Sequence, residues 1–319
     1  MSVWSIGNYH YTVIQWLSLF YFYCFCGWCI ESVHVSVRSK KLVNRGFMRG
    51  PFLPLYGSGG IMMLVASAPF QDNIVLVYIA GCIGATILEY ITGVTMEALF
   101  KVRYWDYSEQ PFNFQGQVCL GTSLAWGGLT ILMTEFVHKP VEKLMFMIPF
   151  RILVPFTAVL TVLLVVDFAL SCKAALDIRD ILVRMEKAKE ELERISRRLD
   201  VIVALANEEW ENRKQEWNGK GRLESLKAVL EERFENLKAA IKAKPGEYRE
   251  SEKEEIFSLR EKFHINMELT RQLKSVKDFY KKSMLRGNPT MVSGKFKETL
   301  EELKETVSSK RKDSGKDNK

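Results

Sequence analysis

The 319-residue chain carries 45 Lys and Arg against 38 Asp and Glu, a formal charge of +7, and is 47% hydrophobic. Its halves differ: residues 1–172 hold 10 basic and 9 acidic side chains and all six cysteines, and residues 173–319 hold the remaining 35 and 29. That division excludes a single soluble domain with evenly spread charge, excludes disorder for the apolar first half, and leaves the second half without a cysteine framework.

A helix crosses a bilayer with roughly 20 mostly apolar residues. Five stretches meet that length: Tyr11–Val37, Phe52–Phe70, Ile74–Phe100, Val118–His138 and Met145–Cys172. The first lacks a basic leader and is too long for a signal peptide, so it reads as a retained anchor. The first connecting loop carries Arg38, Lys40, Lys41, Arg45 and Arg49 with no acidic residue, and the third carries Lys101 and Arg103. Positive charge marks the cytoplasmic side, which places the N-terminus outside and the second half in the cytoplasm. Lys139 and Lys143 in the fourth loop run against this rule.

The expected organisation is all-α: a transmembrane domain over 1–172, a cytoplasmic helical or coiled-coil region over 173–307, and a disordered polar tail over 308–319. In the second region Ile178, Leu182, Met185, Leu192, Leu199, Val203, Ala206 and Trp210 recur at spacings of three and four or their sum, seven. Lys189 and Ser196 interrupt that seam. A second helix uses Leu223, Leu226, Leu230, Phe234, Leu237 and Ile241, and Pro245-Gly246 ends it. A third is expected over Ser251–Leu285, stopped by Gly287-Asn288-Pro289, and a short one near Lys295–Thr306. Acidic and basic residues interleave without a concentrated basic face, which speaks against nucleic-acid binding and for self-association through the coiled coil.

Ionisable groups in a span cost roughly 2.5–3.5 kcal/mol on insertion scales and are functional candidates. Glu89, Gly93 and Glu97 fall on one face of the third span, with the carboxylates roughly 12 Å apart along the axis. Gly81 extends a small-residue stripe on this span, and Gly81, Gly93 and Gly127 are candidates for close helix packing. Glu31 lies near the end of the first span. A polar cluster of Glu31, Glu97 and Asp106 with Arg45, Arg49 and Arg103 is expected on the cytoplasmic side, because opposite charges pair at a low-dielectric boundary. Asn113 lies in the aromatic third loop beside it. Cys26-Gly27-Trp28-Cys29 has redox spacing but falls inside a span, where cysteine packing is the ordinary reading. The four histidines show no ligand spacing and no phosphate-binding glycine loop is present, so neither a metal nor another cofactor is expected.

The segments Asn44-Arg45-Gly46-Phe47, Pro54-Leu55-Tyr56-Gly57, Glu89-Tyr90 and Arg103-Tyr104-Trp105-Asp106-Tyr107-Ser108, with Asn113, Gly116 and Trp126-Gly127, resemble the bacterial integral-membrane family of ABC-transporter type IV proteins over about residues 13–140. Gln117 stands where many of its members carry a basic residue. The resemblance implies a multi-pass permease of the bacterial plasma membrane that moves an unidentified solute with a separate ATPase subunit. The alternative is a membrane-anchored scaffold whose cytoplasmic helices recruit partners. An intramembrane enzyme using Glu31, Glu97 and Asp106 as acid and base ranks last, since no nucleophile or metal set accompanies them.

Overall fold

The computed structural model describes residues 3–206, 223–243, 246 and 248–314. They pack into two units, Met1–Ile178 with Asp278–Gly294, and Arg179–Lys277 with Lys295–Lys319.

The first unit opens with an antiparallel hairpin of β1 (Val3–Ile6) and β2 (Tyr9–Thr12). Gly7 makes its turn at φ +57°, and a Cβ there would lie 2.7 Å from the Ala68 carbonyl oxygen. Helix α1 (Val13–Ser39) starts from a reciprocal cap, in which Thr12 Oγ1 accepts from the Gln15 amide and Gln15 Oε1 accepts from the Thr12 amide. It ends at Lys40 in the left-handed conformation, φ 51°. Helix α3 (Ile74–Phe100) is capped by Asn73 Oδ1, which accepts from the Val75 and Leu76 amides, and ends at left-handed Lys101. Both helices have 27 residues, about 40 Å at 1.5 Å per residue, enough to cross a bilayer.

Helix α2 (Pro54–Ser67) differs from the expected second span. Its 14 residues cover about 21 Å, short of the hydrocarbon thickness. Pro54 fixes its first turn and a 3₁₀ turn, Ala68–Phe70, containing Pro69, ends it, so two prolines bound an apolar run that composition alone extends further. Among the described residues, four helical stretches are long and apolar enough to cross: α1, α3, Leu120–Met147, and the helix beginning at Phe150. The expected five become four.

The N-terminus of α2 lies against the middle of α1. The Leu53 amide donates to the Cys24 carbonyl at 3.0 Å, and a Cβ on Gly57 would collide with Cys24 Sγ. Because α2 ends beside Gly7, α1 and α3 begin at the same end of the bundle and run parallel. Helix α4 (Leu120–Leu132) repeats this arrangement against α3, with Thr86 bonded to Ser123 at 2.8 Å and Gly127 seated on Tyr78 and Cys82. Two loops, 40–53 and 101–119, therefore fill the depth that the short helices leave open. The second contains a two-residue ladder of β3 (Asn113–Phe114) and β4 (Val118–Cys119).

A π-helical turn, Met133–Val137, joins α4 to α5 (His138–Met147), so the expected fourth loop is helical. Helix α6 (Phe150–Ala206) lies alongside α1 with the same polarity: Ser18 bonds Thr157 at 2.8 Å and Tyr21 bonds Thr161 at 2.7 Å. Its Val159, Val162 and Val165 are exposed, as lipid-facing residues are.

The second unit comprises α6 from Arg179, α7 (Leu223–Ala243), α8 (Glu250–Lys274) and α10 (Lys297–Ser314). Leu192, Leu199, Leu226, Leu230, Phe234 and Phe263 share one core. The two polar seam positions find partners there: Lys189 Nζ lies 2.5 Å from Glu298 Oε2, and Ser196 Oγ accepts from Arg233 at 2.8 Å. The expected third helix is two, because Asp278 caps a separate helix α9 (Phe279–Gly287), accepting from the Lys281 amide at 2.9 Å. Helix α10 reaches Ser314, past the expected start of the tail at Ser308. Trp210, Pro245 and residues 315–319 lie outside the described residues.

Candidate functional site

The C-terminal ends of α1 and α3, with the two loops beneath the short helices, gather the acidic and arginine candidates into two linked groups. In the first, Glu31 accepts from the Tyr56 hydroxyl at 2.6 Å and faces Arg45 Nε at 3.9 Å. Tyr56 opens α2, so the half-length helix itself delivers the donor. Arg45 extends from the loop and is 14% exposed. Its Nη1 donates to Asn288 Oδ1 at 3.0 Å and to the Gly287 carbonyl, and its Nη2 donates to the Tyr104 carbonyl at 3.3 Å. Burial loosens the guanidinium's hold on its proton, and Glu31 opposes that effect.

In the second group Glu89, 5% exposed, accepts from Tyr107 Oη at 3.0 Å and from Trp126 Nε1 at 2.9 Å. One turn toward the C-terminus of α3, Gly93 faces Gln117 Oε1 and the Trp105 ring rather than a neighbouring helix. Glu97 Oε2 accepts from Gln117 Nε2 at 2.6 Å and lies 2.8 Å from Arg103 Nε, which is not aligned as a hydrogen bond to it. A neutral amide thus stands beside Arg103 on this carboxylate. Arg103 Nη1 also faces Asp106 Oδ1 at 3.6 Å, and Asp106 is held by the Ser108 amide and hydroxyl. The groups are linked through the second loop, whose Tyr104 carbonyl accepts from Arg45 Nη2 while the adjacent Arg103 faces Glu97.

Two candidates stand apart. Arg49 stacks on Phe279 at 3.8 Å rather than on an acid. Asn113 closes its own loop, with Nδ2 donating to the Ser108 and Gln110 carbonyls and Oδ1 accepting from the Gly116 amide. Gly81 lies against Thr130 and Gly127 against Tyr78, both at the α3–α4 contact. Asp167 on α6 anchors the first loop by accepting from the Gly50 amide at 2.8 Å.

Sequence reasoning passed over Tyr56, Tyr107, Trp126 and Asn288 as functional groups. Tyr56, Tyr107 and Trp126 sit inside the segments that carry the family resemblance, which was the available signal. Asn288 read only as part of a helix stop. A second polar cluster lies at the other end of the bundle: buried His138 bonds Tyr11 at 2.9 Å and Tyr23 at 2.7 Å, and Tyr11 donates to Glu142. Tyr11 donates to Glu142 and so accepts from His138 Nε2–H, which leaves Nδ1 to accept from Tyr23.

Residues 18–172 match the family model described as "Putative ABC-transporter type IV". No curated protein and no solved structure matches the chain. The family match and the four long apolar helices together suggest a membrane protein of the transporter type.

Proposed function

We propose that the first unit is a permease of ABC-transporter type that carries a polar solute across the bilayer and draws on a separate ATPase subunit. The observation that carries this reading is the pair of carboxylates, Glu31 and Glu89, each held by a tyrosine hydroxyl where loops rather than helices fill the bundle. Irregular backbone at membrane depth persists where it is enclosed by protein or borders a water-filled path. Intramembrane carboxylates with neutral hydroxyl partners suit exchange of protein hydrogen bonds for solute hydrogen bonds. Arg45 and Arg103 supply the balancing positive charge.

In this reading the N-terminus faces outward and the second unit is cytoplasmic, in a bacterial plasma membrane. Lys40, Lys41, Arg45, Arg49, Lys101 and Arg103 all follow the C-terminal ends of the parallel helices α1 and α3, which supports that orientation. The test is a Glu89→Gln variant measured for insertion and for every transport or growth phenotype of the intact gene. Normal insertion with lost phenotype is expected. Full retention of phenotype sinks the transport role.

A scaffold reading is favoured by one observation: the second unit has its own apolar core and lies outside the matched residues 18–172. It predicts that Glu89→Gln is silent. It also predicts self-association of the second unit, read by light scattering of the full chain in nanodiscs.

A further inference from the structure

The segment Asp278–Gly294 belongs to the first unit, yet the chain on both sides of it belongs to the second. Among the described residues it is the only stretch after Ile178 assigned to the first unit. It lies across both loops of the site. Asn288, 1% exposed, donates through Nδ2 to the Gly46 carbonyl at 2.9 Å while its Oδ1 accepts from Arg45. Gly287 packs so closely that a Cβ would lie 2.4 Å from the Asn44 carbonyl oxygen. On the second loop Arg103 and Val292 exchange both backbone hydrogen bonds, at 2.7 and 2.9 Å, and Ser293 Oγ donates to the Lys101 carbonyl at 2.7 Å. Lys281 pairs with Asp177 at 2.8 Å.

We infer that Asp278–Gly294 is a releasable latch: docked, it ties loops 40–53 and 101–119 together and occupies Arg45, and released, it frees Arg45 for an anionic group. That consequence rests on the reading of the Glu31–Arg45 group as the solute site. The docking is held by one backbone bridge pair, by Asn288 and Ser293 bonded to loop carbonyls, by Arg45 on Asn288, by the Lys281–Asp177 pair and by Arg49 stacked on Phe279, with Met284, Leu285 and Met291 buried. Both ends continue into the second unit, so a rearrangement there loads the segment at both ends. The acceptors it offers Arg45 are neutral carbonyl oxygens. When they leave, Arg45 keeps the Tyr104 carbonyl and a distant Glu31, and a carboxylate or phosphate oxygen is the natural replacement. Latch and anion therefore compete, and each weakens the other's hold.

The test is amide hydrogen exchange on the full chain in nanodiscs, comparing wild type with Asn288→Ala and, separately, Val292→Pro, which removes the amide that donates to Arg103. Expected is faster exchange over 278–294, 44–50 and 103–108, by about tenfold or more in Asn288→Ala, which loses a bond to a charged group, and by about two- to tenfold in Val292→Pro, which loses a neutral backbone bond. Exchange in the paired α3 and α4 segments, 77–85 and 123–130, should not change. A rise there too makes the segment a structural staple and overturns the latch, as does faster exchange of 278–294 with the loops unmoved. Inorganic phosphate should then slow exchange of 44–50 in the variants but not in variants that also carry Arg45→Gln. Slowing only in phosphatidylglycerol nanodiscs assigns the anion to a lipid headgroup, and slowing by neither overturns the competition. Exchange is read without transport, so loss of the permease reading through a silent Glu89→Gln leaves the latch to stand or fall by itself.

Discussion

Gly27→Ala offers a measured dissection of how α1 and α2 meet. An added Cβ would lie 2.3 Å from both Cβ and Cγ of Tyr56, atoms near the backbone that cannot swing aside. Ordinary carbon contact is about 3.5–4.0 Å, so the helices must part by about 1.2–1.7 Å. That displacement carries the Tyr56 hydroxyl away from Glu31, now 2.6 Å distant, and opens the hydrogen bond. Overpacking costs about 1–3 kcal/mol and a bond to a charged group about 1.5–3 kcal/mol, a combined loss of roughly 2.5–6 kcal/mol. Gly59→Ala is the control, because nothing lies within 4 Å of its Cβ and alanine gains about 1 kcal/mol of helix propensity. Thermal unfolding in detergent, followed by tryptophan emission and by monodispersity, separates the two. In a Tyr56→Phe background the Gly27→Ala cost should shrink by the bond's share, leaving the steric part. Equal stability of Gly27→Ala and Gly59→Ala would refute the packing geometry, and an unchanged cost in the Tyr56→Phe background would refute the coupling.

The remaining expectations concern single interactions. Glu89→Leu and Tyr107→Phe should be coupled by about 0.5–3 kcal/mol in a double-mutant cycle of unfolding, since each removes a partner of the other; strict additivity counts against the bond. Arg103→Lys should loosen the second loop, because a single ammonium cannot serve Glu97 and Asp106 as a planar fork does, and faster proteolysis within 104–116 is the readout. Lys189→Leu should leave the second unit as stable or more stable, since it turns a buried polar seam position apolar and Glu298, partly exposed, can turn to water. A drop of more than about 2 kcal/mol there would show the pair to be indispensable.

The spans α1 and α3 were legible in the sequence because unbroken apolar runs determine them; α3 keeps the expected bounds, Ile74 and Phe100, and α1 shifts by two residues. The half-length α2 was not, since hydropathy counts Phe52, Leu53 and Phe70 like any other apolar residues while Pro54 and Pro69 decide where helix can exist. The acidic and arginine members of the site stood out as charges in an apolar half. That they would pair was expected; which arginine meets which carboxylate was not legible, because loops reach back from the helix ends by amounts that no periodicity encodes. The segment around Asn288 was least legible of all. Its contacts run to backbone carbonyls, which every residue has, so nothing in Gly287-Asn288-Pro289 distinguishes a docking strap from an ordinary helix terminator.

Three indoles bear on how this protein can be observed. Trp28 donates to Asn44 at 2.6 Å, Trp105 to the Gln117 carbonyl at 2.9 Å and Trp126 to Glu89 at 2.9 Å. Each of the two loops and the buried carboxylate thus carries a native chromophore whose emission depends on the polarity of what its N–H touches. Single tryptophan-to-phenylalanine replacements would assign the three signals, and the site could then be followed by stopped-flow fluorescence in an unlabelled protein before any solute is identified.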